Sequence, residues 1–185
     1  MLYLVSGASR SGKTIIANNI LKRKKIPFMS LDWLVMGFTN GMPQCGIHDK
    51  LYPDEIAEKL WNILKSMCEN MLWSEVDYVI EGEAILPGLI RELLDKYPER
   101  IKIYFVRYAD IDVDQKVTDI RNHSDGRLDW LLNESDDHIN KHIEDMVTYS
   151  RKIRSECRQY YDVRYFDTST GFVDAIEEAT EYLLN

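Results

Sequence analysis

The amino-acid sequence predicts an α/β protein built around a mainly parallel β-sheet. Short apolar runs of strand length alternate along the chain with longer segments whose apolar residues recur at helical spacing. That alternation is typical of parallel sheets, because each crossover between neighbouring parallel strands needs a helix or another long connection. The chain has 185 residues, 45% of them hydrophobic, which is enough for one domain with a substantial core. We therefore expect a single domain over residues 1–185.

The first strand and the first helix enclose the most specific motif of the chain. The apolar run Leu2–Val5 is predicted to be a buried strand, and residues 14–21 are predicted to open a helix. Between them, Gly7–Thr14 matches the pattern G-x4-G-K-[ST], whose glycines let successive backbone N–H groups turn inward around a polyphosphate. The alternative is a glycine-rich turn that binds nothing, but all four fixed positions lie between a strand and a helix. The candidate phosphate-binding residues are Gly7, Ser9, Arg10, Ser11, Gly12, Lys13 and Thr14.

The side chains at the end of this motif predict how a nucleoside triphosphate is held. Lys13 is placed to reach the β- and γ-phosphate oxygens, and the Thr14 hydroxyl is placed to bind Mg²⁺. The N-terminus of the following helix adds partial positive charge at the same point. We therefore expect a nucleoside triphosphate with Mg²⁺ as the ligand of this loop.

The remaining elements follow from apolar periodicity and from turn residues. Further strands are expected over 26–31, 78–80, 101–106 and 162–166. Helices are expected over about 53–73, 88–96 and 172–184, with one more beginning near Val113 and another capped by Ser135. Glycines and prolines recur throughout residues 36–53, which are therefore expected to form a surface loop.

Charge and composition argue against several classes of partner. The net charge of −8 disfavours nucleic-acid binding, because duplex backbones are held by clusters of Lys and Arg. No apolar run in the sequence approaches the length of a membrane span, and the first strand begins at Leu2, which leaves no room for a signal peptide. The three cysteines match no metal or redox spacing and are expected to be free thiols. We expect a cytoplasmic protein with no nucleic-acid or membrane partner.

Residues that follow the strands are the candidates for catalysis, because ligands of open parallel sheets bind at the carboxyl ends of the strands. Asp32 follows the second strand, where a carboxylate can accept the proton of a hydroxyl that attacks the γ-phosphate. It can equally be a helix N-cap, for which Asp is well suited. Glu81 ends the third strand, where it can hold Mg²⁺ or its water ligands. The alternative is that Glu81 or Glu83 starts a solvated loop.

A polar break over residues 122–127 is a candidate flap over the transferred phosphate. Arg121 and Arg127 flank Gly126 in this segment. Phosphoryl transfer needs cations over the developing charge, and a mobile flap can deliver them while it excludes water. The alternative is that both are surface arginines beside the aspartates of the same segment. We assign the flap role to Arg127 first and to Arg121 second.

The whole chain resembles the P-loop kinases of the nucleoside and nucleotide kinase group, which includes adenylate, uridine, shikimate and gluconate kinases and chloramphenicol phosphotransferase. The resemblance rests on the loop at Gly7–Thr14, on Asp32, on Glu81-Gly82 and on the Arg121–Arg127 segment. It implies a P-loop NTPase fold, with a five-stranded parallel sheet in the order 2-3-1-4-5 that is flanked by helices. It also implies a short lid, at about residues 119–134, and ATP and Mg²⁺ as cofactors.

The resemblance assigns roles to several of the residues named above. Lys13 and Thr14 would handle phosphate and Mg²⁺. Asp32 looks like the aspartate that acts as base in uridine kinase-like and chloramphenicol phosphotransferase-like members. Arg121 and Arg127 look like lid arginines.

Two further regions acquire roles from the same resemblance. Thr168 and Ser169 lie where family members pack the adenine, and residues 33–75 would form the acceptor-binding side. The third strand ends in Glu81-Gly82 rather than the Asp-Gly common in nucleotide kinases, and no arginine follows shortly. This departure favours an uncharged or modestly charged hydroxyl acceptor over a nucleoside monophosphate.

Three functions remain compatible with the sequence. The first is an ATP- and Mg²⁺-dependent kinase that phosphorylates a hydroxyl of a small molecule. The second is a nucleoside monophosphate kinase, and the third is a nucleotide-binding switch or regulatory ATPase that acts through a protein partner. ATP rather than GTP follows from the resemblance and from the lack of an Asn-Lys-x-Asp guanine motif. The sequence leaves the identity of the acceptor and the oligomeric state open.

Overall fold

The central feature of the molecule is a sheet of five parallel strands in the order β2-β3-β1-β4-β5. A computed structural model of the chain describes residues 1–123, 130–160 and 163–184. The strands are β1 (Leu2–Gly7), β2 (Phe28–Ser30), β3 (Tyr78–Gly82), β4 (Ile101–Arg107) and β5 (Arg164–Asp167). β2 is shorter than the strand expected over 26–31. The expected α/β class and the expected strand order are confirmed.

Helices cover both faces of this sheet. Within the described residues the α-helices are α1 (Lys13–Lys24), α2 (Leu31–Gly41), α3 (Pro53–Trp73), α4 (Pro87–Lys96), α5 (Val113–His123), α6 (Asp136–Cys157) and α7 (Phe172–Leu184). Two short 3₁₀ helices are also present, at Pro43–Cys45 and Trp130–Asn133. No helix in the described part of the chain combines the length and the apolar character needed to cross a membrane.

Strand alternation separates two hydrophobic cores on the two faces of the sheet, and a third cluster of buried residues lies between α5 and α6. In β1, Leu4 faces the core that contains α3, α4 and α6, whereas Val5 faces the core that contains α1 and α7. In β4, Ile103 and Phe105 belong to the first of these cores. Arg107 extends the same row by two residues, and this places its side chain under α6 at the carboxyl edge of the sheet.

Helix α2 overturns the expectation that residues 36–53 form a surface loop, because Leu31–Gly41 is helical. A Cβ added at Gly37 or Gly41 would meet nothing within 4 Å, so packing does not require glycine at either position. Leu31, the first residue of α2, and Val35 are four residues apart on one face of the helix, and both are buried against the core. Burial of that face therefore outweighs the low helix propensity of the two glycines.

Serine hydroxyls cap α2 and α6. Ser30 caps α2, because its hydroxyl accepts a hydrogen bond from the backbone N–H of Asp32 at 3.3 Å. The alternative that Asp32 is the N-cap is therefore wrong, and Asp32 instead lies in the first turn with its side chain exposed. Ser135 caps α6 as expected, accepting from the N–H of His138 at 3.2 Å.

Candidate active site at the phosphate loop

The two glycines of the phosphate loop occupy positions that no other residue could take without a shift of the neighbouring atoms. A Cβ on Gly7 would lie 2.3 Å from the carbonyl oxygen of Val106. Gly12 has φ +100°, and a Cβ there would lie 2.2 Å from Cδ1 of Ile176. Arg10, between them, also adopts a left-handed conformation with φ 61°. The loop therefore turns sharply and packs closely against β4 and α7.

Side-chain donors satisfy the carbonyl oxygens of three consecutive loop residues. The pairs are Ala8 with Lys13 Nζ at 2.9 Å, Ser9 with Tyr108 Oη at 2.6 Å, and Arg10 with Lys116 Nζ at 3.0 Å. Because these carbonyls are engaged inside the protein, the loop presents its N–H groups and the N-terminus of α1 to a ligand. The Ser11 hydroxyl oxygen is buried and has no hydrogen-bond partner in the described part of the chain.

Lys13 lies in the interior of the site and is paired there. Lys13 is only 7% exposed, and its Nζ lies 3.7 Å from Oε1 of Glu83. Burial raises the pKa of the Glu83 carboxyl, and the Lys13 charge partly opposes that rise. The lysine is therefore held by one carbonyl and one carboxylate at the end of β3.

Thr14 and Glu81 form a hydrogen-bonded pair beside the lysine. The Thr14 hydroxyl donates to Oε1 of Glu81 at 3.2 Å, and Glu81 is 2% exposed. Burial raises the pKa of Glu81, and the Lys13 charge is the largest opposing influence. The other carboxylate oxygen, Oε2, is buried without a hydrogen-bond partner among the described residues.

This pair fits a hard cation that takes oxygen ligands. Among the described residues there is no group of three or more His, Cys, Asp or Glu side chains that could hold a metal ion. Mg²⁺ does not need such a group, because it is usually held by one or two carboxylates together with phosphate oxygens and water. A buried carboxylate oxygen without a partner, next to a hydroxyl, is the donor set that such an ion requires.

Asp32 lies at the same edge of the sheet. It stands at the start of α2, and its negative charge raises the pKa of both Glu81 and Glu83. The structure therefore brings Asp32, Glu81 and Glu83 together around Lys13. Unlike the two glutamates, Asp32 is exposed and accessible to an acceptor.

The described contacts of Arg121 tie the two sides of the expected lid together. Its guanidinium donates to Oδ1 of Asp136 at 2.8 Å and to the carbonyl oxygen of Glu134 at 2.7 Å. These bonds join the end of α5 to the start of α6. Arg127 lies outside the described residues, so its expected role in the lid remains a prediction.

Thr168 and Ser169 brace the turn that follows β5. The N–H and the hydroxyl of Thr168 both donate to the carbonyl oxygen of Arg107, at 2.8 and 3.3 Å. The Ser169 hydroxyl accepts from the N–H of Asp110 at 3.0 Å. Both residues thus hold the ends of β4 and β5 together, and their expected contact with adenine remains a prediction.

Lys116 is a buried cation beside the phosphate loop that the sequence reasoning missed. Its Nζ lies 4.9 Å from the ring centroid of Tyr108 and 5.5 Å from that of Phe172. Burial lowers its pKa. The available signal was its position, three residues after Val113 and four before Ile120, on the inward face of α5.

Comparison with known proteins supports the fold. The sequence matches no model of a known protein family and no curated protein sequence. Solved structures do match over nearly the whole chain. A shikimate kinase from Bacteroides thetaiotaomicron has a TM-score of 0.59 at 15% identity, and the match covers 100% of this chain and 99% of that one.

Two further solved structures are similar to this chain. The YorR protein of Bacillus subtilis, solved in complex with phosphorylated GDP, has a TM-score of 0.56 at 15% identity and covers 100% of this chain and 95% of its own. A gluconokinase from Sinorhizobium meliloti has a TM-score of 0.51 at 13% identity, with coverages of 98% and 94%. These likenesses confirm the P-loop kinase fold.

Proposed function

We propose that the protein is an ATP- and Mg²⁺-dependent kinase that transfers the γ-phosphate to a hydroxyl of a small molecule. The observation that carries this proposal is the grouping of Asp32, Glu81 and Glu83 around Lys13 at the mouth of the phosphate loop. A loop that only held a nucleotide would need the lysine, but it would not need an exposed carboxylate beside it.

The phosphate loop and Lys13 would bind and orient the triphosphate. The loop residues Gly7, Ser9, Arg10, Ser11 and Gly12 supply backbone N–H groups around the phosphates. Lys13 is buried, so its charge acts on phosphate oxygens with little screening by solvent. Binding of the nucleotide would draw Lys13 away from Glu83 and toward the transferred group.

Thr14 and Glu81 would hold Mg²⁺, in keeping with their oxygen donors and the unpartnered Oε2 of Glu81. When bound, Mg²⁺ neutralises charge on the β- and γ-phosphate oxygens as the phosphoryl group moves.

Asp32 would accept the proton of the acceptor hydroxyl. As that O–H bond breaks, the acceptor oxygen forms a bond to the γ-phosphorus, and the bond from the γ-phosphorus to the bridging oxygen of the β-phosphate breaks, which leaves ADP.

The acceptor would bind along residues 33–75. The lid, at about residues 119–134, would supply cations; Arg121 would have to exchange its bond to Asp136 for the phosphate, and Arg127 would serve beside it. Thr168 and Ser169 would pack against adenine.

Release of ADP from Mg-ATP tests this proposal. The purified protein is assayed with nucleosides, nucleoside monophosphates, sugars, hydroxy acids and phenicol-like or aminoglycoside-like alcohols. We expect one class of hydroxyl compound to stimulate ADP release, and Lys13→Ala to abolish the stimulation. Lys22→Ala removes the same charge at the exposed end of α1 and serves as the matched control.

The same assay separates the other two functions. Stimulation by nucleoside monophosphates alone would make the protein a nucleoside monophosphate kinase. Slow hydrolysis that no acceptor changes would overturn the kinase proposal in favour of a nucleotide-dependent switch.

A further inference from the structure

Arg107, the last residue of β4, is a fully buried cation without a hydrogen-bonded partner. It is 0% exposed, and its Nε, Nη1 and Nη2 atoms all lack a hydrogen-bond partner among the described residues. Burial lowers the pKa of Arg107, and the neighbouring acidic groups only partly oppose this. Burying an ion without such partners is strongly destabilising, so a guanidinium in this state calls for an explanation.

The surroundings of Arg107 are polar and are also incompletely paired. The Arg107 Cζ lies 4.6 Å from the centroid of the Tyr149 ring. The hydroxyl oxygens of Tyr149 and Tyr165 are buried without hydrogen-bond partners in the described ranges. Both tyrosines interact electrostatically with Arg107. The guanidinium and the two hydroxyls therefore lie near one another in the interior, and none of them forms a hydrogen bond with a described residue.

Arg107 lies next to the proposed transfer site. Glu83, which is ion-paired with Lys13, also interacts electrostatically with Arg107. The two buried cations thus interact with the same carboxylate. A small molecule that bound to Arg107 would lie within reach of the mouth of the phosphate loop.

A cavity lies next to Tyr149. It has a volume of about 400 Å³ and lies between the start of α3 and α6; Tyr52 and Tyr149 line it, and its charged lining residues are Asp54, Glu55, Asp145 and Lys152. That volume is large enough for a small metabolite. Tyr149 lines the cavity and also stacks on the guanidinium, so a rotation of this ring would connect the two.

We infer that Arg107 is an anion-binding residue of the acceptor site and that the acceptor carries a carboxylate in addition to its hydroxyl group. The inference rests on the proposed kinase function. A planar guanidinium with free N–H groups matches the two oxygens of a carboxylate, and the tyrosine hydroxyls add further donors. The binding of such a group would satisfy the buried charge that the free protein leaves unpaired.

The local charges favour a carboxylate over a phosphate monoester. Lys13 is committed to the transferred phosphate, and Asp32 and Glu83 already place negative charge nearby. The single negative charge of a carboxylate matches the single positive charge of Arg107. A phosphate monoester brings nearly two and would be repelled more strongly by the same carboxylates.

Thermal unfolding of the intact chain tests the anion site directly. Melting temperatures are measured for the wild type, Arg107→Met and the surface control Arg91→Met. The probes are D-gluconate, shikimate and D-glycerate, each beside its neutral counterpart D-glucitol, methyl shikimate or glycerol, at ionic strength matched with NaCl. Uridine monophosphate serves as the phosphate monoester.

We expect at least one carboxylate to raise the melting temperature of the wild type and of Arg91→Met, while its neutral counterpart does not. Arg107→Met should not respond to that carboxylate. Without ligand, Arg107→Met should be at least as stable as the wild type, because the change removes an unpaired buried charge. The inference would be overturned by equal responses of wild type and Arg107→Met, by the absence of any carboxylate response, or by a stronger response to uridine monophosphate. An Arg107→Met variant that melted well below the wild type would also overturn it.

Kinetics with the acid that binds supply a second readout. We expect Arg107→Met to raise the KM for that acid by about 30-fold or more, with kcat changed less than about three-fold. Arg107→Lys, which keeps the charge but loses the planar fork, should raise KM by a smaller factor. An unchanged KM in Arg107→Met would contradict the inference.

The outcome for Arg107 is separable from the outcome for the kinase. Stabilisation by Mg-ATP, and its loss in Lys13→Ala, reports on the nucleotide site alone. If Mg-ATP fails to bind while the carboxylate response persists, the kinase proposal fails and the anion site stands. If Mg-ATP binds and ADP release is stimulated only by uncharged alcohols, the inference about Arg107 fails and the kinase proposal stands.

Discussion

Lys13 and Arg107 are two buried cations at the carboxyl edge of one sheet, and the protein holds them in different ways. Lys13 follows β1 and is bonded to the carbonyl of Ala8 and ion-paired with Glu83. Arg107 ends β4, the neighbouring strand, and none of its guanidinium nitrogens has a hydrogen-bond partner among the described residues. Both are below one-tenth exposed, so burial alone does not distinguish them.

The difference indicates what each side of the site does before a ligand arrives. The nucleotide side is preorganised, because its lysine, its carbonyls and its glycines are fixed by contacts within the protein. The Arg107 side is incomplete, because the guanidinium is buried and none of the described residues forms a hydrogen bond with it. Preorganised charge lowers the reorganisation needed during transfer, whereas unpaired charge favours whichever ligand supplies the partner.

Removing the paired cation should have the largest effect on activity. We expect Lys13→Ala to lower kcat/KM for Mg-ATP by about 10³-fold or more, because it removes a buried donor aimed at the transferred phosphate. Steady-state ADP release and the stabilisation by Mg-ATP measure this. Tight binding of Mg-ATP by the variant would contradict the assigned role, and Lys22→Ala should behave as the wild type.

Changing the exposed carboxylate at the start of α2 should have the next largest effect. Asp32→Asn is expected to lower kcat by about 10² to 10⁴-fold, because the acceptor proton loses its base. The KM for ATP should stay within about two-fold of the wild type, since the loop is untouched. Asp137→Asn, at an exposed position in the first turn of α6, is the matched control. Unchanged turnover in Asp32→Asn would remove Asp32 as the base.

The substitution Glu81→Gln tests the proposed Mg²⁺ site and should have a smaller effect than either change above. We expect it to weaken the apparent affinity for Mg²⁺ by about 10-fold or more, because one of two protein ligands loses its charge. Without Mg²⁺, the variant should unfold at a higher temperature than the wild type at pH 7, since a buried carboxylate oxygen without a partner is replaced by a neutral group. Glu58→Gln, on the exposed face of α3, should change neither quantity. A Mg²⁺ dependence equal to that of the wild type would exclude Glu81 as a ligand.

Loss of the cap of α2 should have the smallest effect. Ser30→Ala is expected to lower the free energy of unfolding by about 1 kcal/mol, because the N–H of Asp32 loses its acceptor. It should also lower kcat by a few-fold, since the cap fixes the turn that carries Asp32. Ser66→Ala, which removes a hydroxyl that donates within α3, is the control for stability. Denaturant unfolding and ADP release measure the two effects, and an unchanged stability would contradict the capping role.

The sequence was sufficient to predict the sheet and the nucleotide side. A parallel sheet follows from the alternation of apolar runs, and the phosphate loop follows from glycines whose positions the local backbone requires. Asp32 and Glu81 could be placed at the same edge because strand ends meet there. The phosphate loop depends on neighbours in sequence, whereas the strand order 2-3-1-4-5 follows from the resemblance to the P-loop kinases.

Other features depend on contacts between distant residues and could not be predicted in the same way. The expected loop over residues 36–53 includes the second half of α2, because Gly37 and Gly41 suggest a break, whereas burial of Val35 favours the helix. The bond from Lys116 to the carbonyl of Arg10 joins residues far apart in the chain. Arg107 directly follows the apolar run expected to be a strand over 101–106, but only packing shows that its charge is buried without a hydrogen-bond partner among the described residues.

Phosphorus NMR of the complete reaction tests the central claim most directly, because it shows where the γ-phosphate goes. The protein is incubated with Mg-ATP and with the hydroxyl compound that best stimulates ADP release. Our account predicts a new phosphate monoester signal that grows in step with ADP and is absent with Lys13→Ala. Orthophosphate as the sole new product, with or without the hydroxyl compound, would contradict it.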